Sequence, residues 1–269
     1  MIKFTKMQGA GNDYVYIDER EFNLESRGEK YIGEVARRVS DRHFGVGSDG
    51  LVLILPAQNA ENHARMRMFN ADGSEAEMCG NAVRCVARFV RERWNVEATP
   101  LRVETKSGVK VIQTKICDAG ERKFFASVDM GEPVLEGDVE LNGREFARIS
   151  MGNPHAVTFV DNVGDAPVLS EGKELETNAI FPNKSNIEYV EFVSSKHIKM
   201  RVWERGAGET LACGTGACAA AVAAMLKKGA ERSLTVELLG GNLMIDWRED
   251  TNRVIMTGGA EFVFEGEIA

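Results

Sequence analysis

Two of the five cysteines stand beside glycine in similar surroundings, Met78-Cys79-Gly80-Asn81 and Ala212-Cys213-Gly214-Thr215. In both places a glycine-containing turn runs into a helix-forming stretch, so the thiol falls at the first turn. There, unpaired backbone N–H groups and the positive end of the helix dipole favour an anion. A thiol so placed is expected to ionise below its ordinary range. One isolated Cys-Gly reads as a small buried side chain; two at matching positions read as chemistry. Gly80, Asn81, Gly214 and Thr215 add N–H, amide and hydroxyl groups suited to a carboxylate. If one thiolate removes a proton from carbon and the other thiol delivers one from the opposite face, the stereocentre inverts. The α-proton of an amino acid is so weakly acidic that donors fixed in advance must stabilise the carbanion.

Other chemistries find less support. The Cys79-x5-Cys85 spacing is wide for zinc, and neither it nor Cys213-x4-Cys218 has a histidine pair nearby, so no metal site is expected. No Cys-x-x-Cys, no phosphate-binding Gly-x-x-x-x-Gly-Lys-[Ser/Thr] and no clean dinucleotide glycine motif occurs, and no cofactor is expected. The glycines of 45–50, before the apolar run 51–55, read as the shape of a hairpin near the site. Cys85, Cys117 and Cys218 read as packing residues.

The elements that must position the two thiols repeat. A shift of 134 residues lays Met66-Arg67-Met68-Phe69-Asn70 on Met200-Arg201-Val202-Trp203-Glu204, then Glu75 on Glu209 and Cys79-Gly80 on Cys213-Gly214. In a slightly different register, 9–18 echoes 152–161: a glycine turn, an apolar strand and a closing Asp. A duplicated unit is therefore expected. Helices are expected at 81–94, with Val83, Val86, Ala87 and Val90 on one stripe, and at 215–228, apolar on nearly every face and hence buried. The amphipathic stretch 29–40 reads as a surface helix. Alternating runs at 3–16, 101–116, 122–130, 186–193, 198–203, 234–239 and 253–264 read as strands, mostly at hairpin spacing. The fold class is α/β (α+β) with largely antiparallel sheets. An Asp-Ala-Gly turn at 118–120 suggests a boundary between halves there.

At ~150 residues per domain, 269 residues make about two domains. A composition 43% hydrophobic and 28% charged suits a globular core, and the net charge of -8 argues against nucleic acid or anionic lipid as a partner. No signal-like or membrane-spanning stretch is evident, which reads as a cytoplasmic protein. An odd cysteine count does not suit a disulfide framework.

With these residues in place, the chain resembles the diaminopimelate epimerase family over essentially its whole length. The most specific parts are Phe69-Asn70-Ala71-Asp72-Gly73-Ser74-Glu75, Met78-Cys79-Gly80-Asn81, Gly152-Asn153-Pro154-His155, Trp203-Glu204-Arg205-Gly206 and Ala212-Cys213-Gly214-Thr215-Gly216. The resemblance implies two pseudo-symmetric domains, 1–118 plus 259–269 and 119–258, each with strands around a central helix. It implies a cofactor-independent enzyme that interconverts LL- and meso-diaminopimelate in lysine and peptidoglycan precursor synthesis. Cys79 would be the proton donor and Cys213 the acceptor, with His155 and Glu204 tuning their proton affinities. Asn12, Asn70, Gly80, Asn81, Asn153, Asn186, Glu204, Arg205, Gly214 and Thr215 would hold the small amino acid substrate, and the protein would be a homodimer. Gly50 replaces a Gln of some members, Ala82 a frequent Gly, and Phe264 a Tyr near the dimer contact. A racemase of another amino acid, such as histidine or lysine, is the alternative.

Overall fold

The computed structural model describes residues 1–117 and 123–268. In chain order it contains β1 (Ile2–Gly9), β2 (Asn12–Asp18), α1 (Glu29–Ser40), β3 (Gly50–Leu55), β4 (Ala64–Asn70), β5 (Glu75–Ala76), α2 (Gly80–Arg93), β6 (Leu101–Thr105), β7 (Gly108–Cys117) and β8 (Lys123–Asp129). There follow β9 (Val134–Leu141), β10 (Arg144–Ser150), β11 (Pro154–Val160), the single turn α3 (Lys173–Glu176), β12 (Asn186–Ser194), β13 (His197–Glu204) and β14 (Gly208–Glu209). The chain closes with α4 (Gly214–Lys227), β15 (Ser233–Leu238), β16 (Gly241–Trp247), β17 (Val254–Gly259) and β18 (Glu261–Ile268). It divides into two compact units, Met1–Val128 with Gly258–Ala269, and Asp129–Thr257. The turn at 118–120, on which the sequence boundary rests, lies outside the described residues. Among those residues no helix is long and apolar enough to cross a membrane.

Each unit is a mixed sheet with a long helix against it, α2 in the first and α4 in the second, and the first adds α1. In the first, β18, β1 and β2 are antiparallel neighbours, β2 runs parallel to β3, β3 antiparallel to β4, β4 parallel to β6, and β6, β7 and β8 follow antiparallel. The second repeats this strand for strand as β9, β10, β11, β12, β13, β15, β16 and β17. Even detail recurs. Phe69 faces Glu75 as Trp203 faces Glu209, and Arg67 Nε lies 2.7 Å from Glu75 Oε1 just as Arg201 Nε lies 2.7 Å from Glu209 Oε1. The expected antiparallel character holds for most pairs. Two parallel pairs per unit arise where a helical element lies between the strands, since a parallel return needs a crossover.

The helices follow from their sequences. On α2, Val83, Val86, Ala87 and Val90 are fully buried, as their stripe predicts, and the helix packs on β1, β2, β4, β6 and β7. The alanine-rich α4 is buried from Gly216 to Ala224 and touches β10 to β13, β15 and β16. Helix α1 spans 29–40 as expected and buries Ile32, Ala36 and Val39 against Leu51, Leu53, Leu55 and Phe69.

Helix α2 also carries a titration consequence. Burial pushes the Cys85 thiol up to about 11, against an ordinary 9.0. The folded chain therefore holds this proton more tightly than the unfolded chain. Stability is unaffected below pH ~9 and falls as pH rises from there to ~11, by about 3 kcal/mol in all. Urea midpoints at pH 8 and pH 10 should differ less in Cys85→Val than in the unaltered protein; an equal difference would contradict the assignment.

Candidate active site

In the first unit, the thiol and its neighbours come from the β1–β2 hairpin and the start of α2. Ala10 and Gly11 both take positive φ (54° and 79°), the two-residue turn that suits strand twist, and Asn12 follows as the first residue of β2. Cys79 is the N-cap of α2 in extended backbone, with Gly80 and Asn81 as the first helical residues. Cys79 Sγ donates to Asn12 Oδ1 at 3.3 Å, and Asn81 Nδ2 donates to the same oxygen at 3.4 Å. Asn12 Nδ2 donates in turn to Asp49 Oδ2 at 2.6 Å, and Asp49 is also bound by Arg42 and by the Asp13 N–H.

Two of these contacts escaped the sequence. Asp49 closes the network behind Asn12. Tyr14, two residues after Asn12 and so on the same strand face, brings its buried hydroxyl within hydrogen-bonding reach of both Asn12 and Cys79. Burial, then the negative charges of Cys79 and Asp49, push the Tyr14 phenol well above its ordinary range, so it serves as a donor. Asn70 closes β4, where its amide donates to Ser74 Oγ at 3.0 Å, and lies opposite Gly50. A Cβ on Gly50 would sit 2.2 Å from the Phe69 carbonyl oxygen, so no side chain fits there and the position offers only backbone.

In the second unit, Cys213 caps α4, and its sulfur accepts the Gly216 N–H at 3.4 Å with Thr215 Oγ1 3.6 Å away. Asn153 follows Gly152, whose φ is +93°, and its amide donates to Thr215 Oγ1 at 3.3 Å. Its Oδ1 lies 3.1 Å from His155 Nε2, while His155 Nδ1 lies 2.6 Å from Glu188 Oε1, with both side chains wholly buried. Glu204, at the end of β13, takes hydrogen bonds from the Thr210 hydroxyl and the Cys213 thiol.

Asn186 and Arg205 are more particular. The Asn186 amide donates to Pro154 O at 2.8 Å and accepts the Arg205 N–H at 2.9 Å, so it ties β11 to the turn after β13. The exposed Arg205 guanidinium reaches the Asn183 carbonyl at 3.0 Å.

One expectation is overturned. Cys213 does not ionise below the ordinary thiol range: burial first, then the negative charges of Glu204 and Glu188, push it well above. The helix terminus and the Thr215 and Gly216 donors act in the opposite direction and are outweighed. Burial also raises Glu188 and Glu204, each partly offset by His155. Cys85 and Cys218 are buried along their helices. Among the described residues, no cluster of three or more His, Cys, Asp or Glu side chains is arranged to hold a metal.

The chain matches the family model described as diaminopimelate epimerase over residues 4–136 and 147–263. A diaminopimelate epimerase of Acetivibrio thermocellus is 50% identical over 284 residues, covering 99% of this chain and 98% of its own length. One from Methanococcus maripaludis is 48% identical, with 99% of each chain covered. Among solved structures, a phenazine biosynthesis protein of the PhzF family from Bacillus anthracis superposes with a TM-score of 0.75 at 17% identity, covering 100% of this chain and 99% of that one. A hydroxyproline epimerase from Agrobacterium vitis superposes at 0.71 with 13% identity, covering 99% and 90%. At such identities these two share the fold alone. The chain belongs to the diaminopimelate epimerase family.

Proposed function

We propose that this protein is a cofactor-independent epimerase that interconverts LL- and meso-diaminopimelate through Cys79 and Cys213. The observation that carries the mechanism is the pair of thiols at equivalent helix N-caps in two equivalent units, each backed by its own polar network. One thiolate abstracts the α-proton, the carbanion's charge spreads onto the carboxylate, and the other thiol protonates the opposite face. The first sulfur ends as thiol and the second as thiolate, so a return turnover resets the pair. The raised proton affinity of Cys213 fits this role. A thiolate that holds its proton tightly is the stronger base, and the weakly acidic α-proton demands one. The substrate's ammonium group would favour its ionisation once bound.

In this assignment Cys79 is the donor and Cys213 the acceptor in one direction, with His155 and Glu204 setting proton affinity. Gly80, Asn81, Gly214 and Thr215 are assigned to the substrate carboxylate by the family resemblance. Asn12, Asn70, Asn153, Asn186, Glu204 and Arg205 shape the rest, and Arg205 is the natural partner of the distal carboxylate. The same reading makes the two units the catalytic domains of a cytoplasmic homodimer. Exposed Val263 and Phe264 on β18 support the dimer.

Enzyme dialysed against a chelator, with neither metal nor pyridoxal phosphate added, should convert LL-diaminopimelate to the meso form, read by chiral separation, and leave L-histidine and L-lysine unchanged. Activity restored only by a metal or pyridoxal phosphate would reject the mechanism. Preferential inversion of L-histidine or L-lysine would favour the racemase alternative.

A further inference from the structure

Glu188 has no part in the assignment above, yet it is the most deeply buried carboxylate of the second unit. It points from β12 at His155 on the neighbouring parallel strand β11, where Asn186 pairs with His155. Its Oε1 takes Nδ1 of the ring at 2.6 Å, and its buried Oε2 has no hydrogen-bond partner. A half-satisfied buried carboxylate is costly to keep for structure alone. Its surroundings suggest what it does. A Cβ on Gly216 would lie 2.8 Å from Glu188 Oε1 and 3.2 Å from Cys213 Sγ, so only glycine lets α4 bring the reactive sulfur this close to the carboxylate.

The ionisable groups around Glu188 are few: His155 on β11, Glu204 on β13 and Cys213 at the head of α4. Asn153 donates its N–H₂ to Thr215 and turns its oxygen to His155 Nε2, so both ring nitrogens face oxygen acceptors. The carboxylate thus fixes the ring's orientation. His155 acts on Glu204 through its charge rather than by a direct hydrogen bond, and Glu204 accepts the Cys213 thiol.

We propose that Glu188 is a positioning residue of the second half-site: it anchors His155 through a hydrogen bond at Nδ1 and sets a negative charge beside Cys213. The proposal rests on the epimerase reading for its catalytic consequence but not for its electrostatic one. Glu188→Gln keeps the shape and the hydrogen-bond acceptor and removes the charge.

In that variant kcat for LL-diaminopimelate should fall about tenfold or more with KM within about twofold, and Glu188→Asp should recover part of the loss. The pH at which iodoacetamide alkylates Cys213, followed by peptide mass mapping, should move downward, because a negative charge has gone. Proton NMR of the unaltered protein should show a low-field, hydrogen-bonded ring N–H that disappears in both His155→Gln and Glu188→Gln. A merely structural Glu188 would lower kcat only together with the near-ultraviolet circular dichroism and the melting temperature. Wild-type kcat and an unmoved Cys213 profile in Glu188→Gln, or no such ring N–H in the unaltered protein, would overturn the proposal. Should the unaltered protein fail to epimerise diaminopimelate, the functional reading falls, while the alkylation profile and the ring signal still decide the role of Glu188.

Discussion

Cys79→Ala and Cys213→Ala should each lose epimerisation by about 10³-fold or more, since each removes a proton donor or acceptor that the reaction requires. The loss should be selective. A variant with one thiol still has a base on one face of the α-carbon, so it should exchange the α-proton of one substrate epimer with solvent deuterium without inverting it. The complementary variant should exchange the other epimer. Cys→Ser variants should retain traces of inversion, because a hydroxyl is a far weaker base at neutral pH. Chiral separation coupled to mass spectrometry reads both quantities. Near-normal inversion by either alanine variant would defeat the two-base mechanism.

Arg84→Met should cost about 3–5 kcal/mol of stability, read as a lower urea midpoint. Arg84 is the largest fully buried side chain, one turn along α2 from Cys79. Its guanidinium donates to the Gly259 carbonyl at 3.1 Å and the Gly80 carbonyl at 3.3 Å. Hydrogen bonds from a charged group contribute about 1.5–3 kcal/mol each, and methionine would keep the alkyl packing while leaving both carbonyls without that donor. The neighbouring Arg88 donates to the Ala260 carbonyl at 2.6 Å, so α2 holds the start of the returning segment from two places. Because Gly80 opens the helix that Cys79 caps, loosening Arg84 should also lower kcat. A midpoint within about 0.5 kcal/mol of the unaltered protein would show that water or a neighbour satisfies these carbonyls instead.

The parts that were legible in the sequence are those with periodic or repeated signals. The stripe on α2, the all-round apolar α4 and the limits of α1 follow from helical periodicity. The 134-residue echo becomes the strand-for-strand repeat, down to the Arg67–Glu75 and Arg201–Glu209 pairs. What escaped depends on contacts distant in sequence. Glu188 and Tyr14 look like ordinary residues of alternating strands, and only burial against His155 or Cys79 gives them a part. Arg84 looks like the polar face of a helix until Gly259, at the end of β17, meets its guanidinium. The error at Cys213 has the same origin. The helix terminus is visible in the sequence, whereas the burial and the carboxylates from β12 and β13 that outweigh it are not. The parallel pairs stand within a largely antiparallel sheet, and the expected helices at 29–40, 81–94 and 215–228 mark three of the four crossovers.

The central claim, that a different group acts on each face of one carbon, is tested most directly by the first moments of turnover in deuterated water. With LL-diaminopimelate as substrate and early sampling, two thiols predict that every molecule of meso product carries one deuterium at the inverted carbon, while the remaining LL substrate carries almost none. Meso product that retains the original proton would mean that a single base carries it from one face to the other, and would contradict the account.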